Sequence, residues 1–424
     1  MSSLAITVFA GAVVAFVAVS AWMARHQFSA PMVFTLIGVA IGLATSGVEA
    51  DTSAVRALTE TTLALILFHD AAMIRPAQLR ADAGLAARLL LLGLPLTMLA
   101  GVATALLLVP TIGFWLALFL ASALAPTDAG LGAATVLNPV VPERIRRVLN
   151  VESGLNDGLS TPVVLVSIGA LAAATSETES GHVIATVEEL LIGVLVGVAV
   201  GAAAGGALRR ARRAGLAVSD LIPLAVTATP LLAYYGAATL GGNGFVAAFL
   251  AGTAYAAAYH GRGRRSAAAD AAPGPNTQET TTALTESIST LLGFAVWTLF
   301  GVIGVTEMAK HLSWAAVAFA VLSLTALRML PVALVLVGTG FRRRTVLFIG
   351  WFGPRGLASV VFTLIAVQSL EASSTVAAVL ATVELTILLS VVLHGLTAGP
   401  WADRYGAWAA RVAPTQELQD GAPA

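Results

Sequence analysis

The sequence predicts an all-α polytopic membrane protein of about thirteen transmembrane helices. Two observations carry that prediction. Of 424 residues, 58% are hydrophobic and only 11% charged, with a mean hydropathy of +0.88. Soluble domains carry about 25% charged residues, so too few are present to clothe a water-facing surface. The apolar residues are also gathered into windows of about 20, long enough to cross a bilayer as helices. Twenty-three basic against 23 acidic residues leave no basic excess for nucleic acid. The absence of cysteine excludes disulfides, thiolate metal sites and a cysteine nucleophile.

Taken in order, spans 1 to 4 cover roughly 4–24, 31–47, 55–74 and 84–109. The first lacks the basic flank of a cleavable signal and reads as a helix that stays. Span 5 (112–137) contains Pro126 with Gly130 and Gly132 close behind, so its helix should break near the middle. Span 6 (148–171) is the most polar, and span 7 (185–208) repeats glycine at 193, 197, 201 and 205. Such a stripe lets backbones approach closely, either inside one chain or in a dimer. Spans 8 and 9 (221–238 and 242–259) precede a Gly-, Pro-, Ala- and Arg-rich linker at 260–283. Spans 10 to 13 follow at 284–306, 313–338, 345–369 and 375–399, and a short tail at 400–424 completes the organisation.

The charges set the orientation, because cytoplasmic loops collect Lys and Arg. Connections after the odd-numbered spans, the first turns of span 4 (Arg88) and the tail hold nineteen basic residues, among them Arg25, Arg144, Arg146, Arg147 and Arg342 to Arg344. The opposite side holds only Arg56 and Lys310. The N-terminus is therefore expected outside and the C-terminus in the cytoplasm of a plasma (inner) membrane. The two basic residues left over, Arg328 and Arg355, fall inside spans, where charge costs about 2.5–3.5 kcal/mol. Each should have a partner or face water, and Glu152 is the expected partner for Arg328.

The chemistry concentrates in three segments. Ala125-Pro126-Thr127-Asp128 sits at the break of span 5, where freed carbonyls and Asp128 could take a cation; the plain alternative is a proline kink. Span 6 opens with Glu152-Ser153-Gly154-Leu155-Asn156-Asp157. Helical spacing puts Ser153 and Asp157 on one stripe and Glu152 and Asn156 on the next. These oxygen groups suit hard cations, and an Asp that alternates between proton and cation is a coupling device. The alternative places Glu152 at the rim and buries only Asp157. Gly353-Pro354-Arg355-Gly356 breaks span 12, seven spans after the break in span 5. If 4–171 and 221–399 are repeats joined by span 7, that odd spacing inverts one against the other. Paired broken helices at matching positions mark the site of a secondary transporter. Glu60, Glu384 and the His69-Asp70 pair beside Arg75 lack such context. The first two read as further membrane acids, and the pair as a capping or ion-pairing group at the rim.

With these residues in view, the chain resembles the monovalent cation:proton antiporters of the NhaP/NHE type. Ala-Pro-Thr-Asp (125–128), Glu-Ser-Gly-Leu-Asn-Asp-Gly (152–158), Gly-Gly-Asn-Gly-Phe-Val-Ala-Ala-Phe-Leu-Ala-Gly (241–252) and Gly-Pro-Arg-Gly (353–356) occur in family order. The resemblance spans the whole membrane domain (1–399). It implies thirteen helices in two inverted six-helix repeats with helices 5 and 12 interrupted, and a homodimer. By position, Asp157 resembles the essential ion- and proton-binding carboxylate, with Asp128, Ser153 and the Thr127 carbonyl as further ligands. Glu152 resembles the acid paired with Arg328, Asn156 the polar residue of the electroneutral branch, and Arg355 the arginine of the broken twelfth helix. Ala129 stands where many members carry proline.

The expected activity is Na⁺, or Li⁺, exchanged for H⁺ across the lipid bilayer, with K⁺/H⁺ exchange as rival and no cofactor. A passive channel or a membrane-embedded enzyme is the reading from another class. Against the enzyme, neither His-Glu-x-x-His nor Gly-x-Ser-x-Gly occurs.

Overall fold

The computed structural model describes residues 3–44, 52–74, 82–128, 130, 131, 135, 138–173, 179–260 and 277–418. The helices are α1 (Ser3–Arg25), α2 (Ala30–Ala44), α3 (Thr52–Met73), α4 (Ala83–Leu108), α5 (Phe114–Ala123), α6 (Glu143–Ala173) and α7 (Glu179–Arg213). They continue as α8 (Ile222–Thr239), α9 (Gly244–His260), α10 (Thr277–Leu299), α11 (Trp314–Val335), α12 (Arg343–Trp351), α13 (Leu357–Ser369), α14 (Ser374–Val412) and α15 (Thr415–Leu418). Among the described residues there is no strand, and eight helices are long and apolar enough to cross a membrane, with four shorter apolar ones beside them. Every predicted span contains helix.

Proline and glycine set the irregularities. α4 widens into a π-helical turn over Arg88–Gly93, just before Pro95, whose ring cannot tolerate a normal preceding turn. The same turn aims Arg88 at the carbonyls of Val335 and Val337, at distances of 3.3 and 3.0 Å, where it covers the open end of α11. α10 runs on through a second π turn, Phe300–Val305, to Met308. Here a Cβ on Gly301 would lie 2.2 Å from the Thr35 carbonyl oxygen, and one on Gly38 would lie 2.1 Å from that of Thr298. Two glycines thus let α2 and α10 meet backbone to backbone.

The chain divides into two compact units, each drawing on both halves of the sequence. One comprises 1–59, 76–175 and 293–424, the other 60–75 and 176–292. In the smaller, Phe68, Ile222, Val226, Ala247, Ala251 and Tyr255 form the core. The glycine stripe of α7 is used there, within the chain. Cβ atoms on Gly193, Gly197, Gly201 and Gly205 would fall 2.2–2.7 Å from the carbonyls of Asn243, just before α9, and of Ala247, Ala251 and Tyr255 on it. Gly201→Leu is expected to force these helices apart, destabilising the protein by about 2 kcal/mol. Thermal unfolding in detergent measures this; an unchanged midpoint would refute the packing argument.

In the larger unit, Leu85, Ile145, Val332, Phe348, Ile349 and Tyr405 belong to a core that gathers α4, α6, α11, α12 and α14. Here one boundary differs from expectation. α14 does not stop near 399 but continues through Pro400 to Val412, because Ala402, Tyr405 and Ala409 keep one buried face while Asp403 and Arg404 stay outside. The left-handed Ala413 then ends the helix, and α15 follows. Arg75, Arg80, Ala129, Gly132 and most of the 260–283 linker lie outside the described residues.

Candidate ion-binding site

The larger unit brings together the non-helical stretch after α5 and the interruption between α12 and α13. α5 ends at Ala123, and residues 124–128 run on without helix past Pro126. α12 ends at Trp351, and α13 begins only at Leu357, on the far side of Pro354. The two non-helical stretches are joined by a hydrogen bond from the Asp128 N–H to the Pro354 carbonyl, 2.8 Å long.

Asp128 holds this crossing with both carboxylate oxygens. Oδ1 accepts the N–H groups of Gly130 (2.6 Å) and Leu131 (3.3 Å), and Oδ2 accepts that of Leu357 (3.0 Å). It therefore caps the N-terminus of α13, where backbone donors have no helical acceptor and a negative charge suits the dipole. A Cβ on Gly356 would sit 1.8 Å from Oδ2, so only glycine admits the carboxylate there.

Arg355 is fully buried, and its position revises one expectation. Carbonyls freed by the break in α5 were candidates for a cation, but two of them already have a charged donor. Arg355 Nη1 donates to the carbonyls of Ala125 (3.0 Å) and Pro126 (3.3 Å), and Nη2 to that of Ser323 (3.1 Å). The Ser359 hydroxyl donates to the Ala123 carbonyl at 2.6 Å. Arg355 thus closes the C-terminal end of α5 instead of pairing with a carboxylate.

α14 backs the crossing with two residues that sequence reasoning passed over. The Arg355 N–H donates to Ser390 Oγ at 2.7 Å, which meets His394 Nδ1 at 3.1 Å. His394 Nε2 lies 3.0 Å from the Trp351 carbonyl and Nδ1 3.1 Å from that of Ser390, so the ring bridges α14 to the end of α12. The signal was available: Ser390 and His394 lie one turn apart on a strongly apolar helix.

α6 lines the other side. Glu152, Ser153, Asn156 and Asp157 are all buried, so the rim alternative for Glu152 does not hold. Glu152 Oε1 meets Arg328 Nη1 at 2.5 Å, as expected, and that guanidinium packs over Gly353, where a Cβ would lie 2.6 Å from Nε. The Asn156 amide donates to Thr127 Oγ1 (2.6 Å), which in turn meets Ser153 Oγ (3.1 Å). These bonds join α6 to the broken stretch after α5. Asp157 follows one turn beyond Ser153, and its backbone carbonyl accepts the Thr161 hydroxyl at 2.7 Å. Three buried oxygens on successive turns of α6, Glu152 Oε2, Asn156 Oδ1 and Ser160 Oγ, have no hydrogen-bond partner among the described residues. Ser160 was not singled out by the sequence, although it lies one turn beyond Asn156. Elsewhere in the chain, Glu384 is buried on α14 against Gly304, and His69 is half-buried on α3, which also carries Glu60 and Asp70.

A polytopic helical domain in which the stretch after α5 meets the interruption between α12 and α13, beside buried carboxylates and guanidiniums, has the build of a secondary ion transporter, not an enzyme. The family model described as "Sodium/hydrogen exchanger, transmembrane" matches residues 12–404, and the chain belongs to that family of cation/proton antiporters. Its fold is similar to that of the sodium proton antiporter MjNhaP1 from Methanocaldococcus jannaschii at pH 8, with a TM-score of 0.74 and 18% identity over 95% of this chain and 99% of that one. An electron-microscopy structure of the same antiporter gives 0.73 and 16%, over 96% and 98%. No curated protein matches the sequence.

Proposed function

We propose that the protein exchanges Na⁺, or Li⁺, for H⁺ electroneutrally, by alternating access to one site at Asp157. The observation that carries this reading is the buried group Glu152, Ser153, Asn156 and Asp157 on α6, joined to Thr127 beside the crossing. Thr127, Ser153 and Asp157 would supply oxygen ligands to a dehydrated monovalent cation, and Asn156 would orient the Thr127 hydroxyl. Asp128 would be a further ligand, its oxygens also accepting the N–H groups of Gly130, Leu131 and Leu357. A charge count supports the stoichiometry: three carboxylates (Asp128, Glu152, Asp157) face two guanidiniums (Arg328, Arg355), leaving one negative charge. One cation or one proton neutralises it, and the loaded site then crosses without net charge. The charged loops favour an outside N-terminus and a cytoplasmic C-terminus in the plasma membrane.

Proteoliposomes holding a preset pH gradient test the reading. Adding Na⁺ or Li⁺ is expected to release lumenal protons at a rate unchanged when valinomycin and K⁺ clamp the membrane potential. Response to K⁺ alone would shift the assignment to K⁺/H⁺ exchange. Dependence on the clamp would refute electroneutrality, and no response to any cation would refute the proposal.

A further inference from the structure

At the end of the described chain, Glu417 is a buried carboxylate (1% exposed) on the four-residue helix α15. Its Oε1 accepts the Arg342 N–H at 2.9 Å and the Thr345 hydroxyl at 2.7 Å, and the Tyr405 hydroxyl donates to Thr345 Oγ1 at 3.1 Å. These are the first groups of α12. The N-cap position there is Arg342, whose side chain can only donate, and Arg343 and Arg344 follow it. Three cations at a helix N-terminus oppose its dipole, and the exposed backbone donors lack a local acceptor. A carboxylate 75 residues further along the chain supplies both the acceptor and the negative charge.

The segment carrying Glu417 is itself tied down. Arg144, at the start of α6, donates to the Gln416 carbonyl and, through Nε, to Asp82 at 2.9 Å. Gln416 packs over Gly340, whose φ of +78° belongs to the left-handed region. The tail therefore links the starts of α4, α6 and α12. α12 has only nine residues, a rod of about 13 Å. Its far end leads directly to Pro354, which accepts the Asp128 N–H at the crossing.

We propose that Glu417 is a positioning residue for ion exchange: by capping α12 from the C-terminal segment, it holds the half-helix that sets the crossing and so the geometry of the cation site. The proposal rests on the antiport reading above. Apolar packing already fastens α12, with Phe348 stacked on Tyr405 at 4.1 Å between ring centroids. Loss of the cap should consequently leave the protein folded and α12 loose at its N-terminus.

The full chain in proteoliposomes tests this, with exchange measured against Na⁺ concentration. Glu417→Ala is expected to raise the half-saturating Na⁺ concentration about fivefold or more, with the maximal rate per folded protein within about twofold. Glu417→Gln, which keeps an oxygen acceptor for Arg342 and Thr345, should restore most of that affinity. An unchanged half-saturation in Glu417→Ala, with only less folded protein recovered, would overturn the proposal. Hydrogen exchange supplies a readout independent of the transported ion. Glu417→Ala should accelerate exchange along 345–352 and at the Asp128 amide, and acceleration confined to 413–418 would overturn the proposal as well. Failure of the wild-type chain to exchange any cation would count against the antiport reading alone.

Discussion

Asp157→Asn is expected to reduce cation-driven proton release to the level of empty liposomes, with the protein still folded. Asparagine has nearly the same shape, and the Thr161 hydroxyl bonds to the backbone carbonyl of residue 157, not to its side chain, so that contact survives. What disappears is the ability to carry either a proton or a cation. With Asp128 committed to backbone donors and Glu152 to Arg328, no neighbouring acid is placed to substitute. Competition for one carboxylate adds a signature in the wild type. Below the pH at which the site titrates, the half-saturating cation concentration should rise about tenfold per pH unit, and the maximal rate should change far less. Residual exchange in Asp157→Asn comparable to wild type would place the coupling group elsewhere.

Local chemistry made much of this site legible in the sequence. Pro126 and Pro354, each with glycine close by, disfavour continuous helix, so both stretches could be read from the sequence, whereas Pro162 and Pro400 are carried inside α6 and α14. Helical spacing grouped Glu152, Ser153, Asn156 and Asp157, and the scarcity of charge made Arg328 seek Glu152. Contacts made across hundreds of residues were not legible. Nothing local to Asp128 says that its carboxylate caps a helix beginning at Leu357, or that Arg355 will take the carbonyls of Ala125 and Pro126. The glycine stripe of α7 could not choose its partner, because any close-packed helix would satisfy it; the carbonyls of α9 made the choice. The length of α14 was missed for a different reason. A hydropathy window stops where lipid stops, whereas the helix continues on an amphipathic face through Tyr405 and Ala409.

The Glu152–Arg328 pair should show the strongest non-additivity in the protein. Its charges meet at 2.5 Å with side chains only 3% exposed. Removing either partner alone leaves an uncompensated buried charge, so Glu152→Ala and Arg328→Ala should each destabilise by about 3–5 kcal/mol. The double variant should cost far less than their sum, since it buries no charge. Thermal or denaturant unfolding of all four proteins measures the cycle, and additive losses would show that the contact contributes little. Transport separates the charge effect from the stability effect. Glu152→Gln takes one negative charge from the site, leaving none to hold a cation, so half-saturation should rise steeply. The Glu152→Gln, Arg328→Met pair restores the single net negative charge and should recover Na⁺ affinity more fully than maximal rate. The ion senses the charge count, whereas the transport cycle also needs the link between α6 and α11 that this pair provides. Equal affinity in the single and double variants would mean that the net charge of the cluster does not govern cation binding.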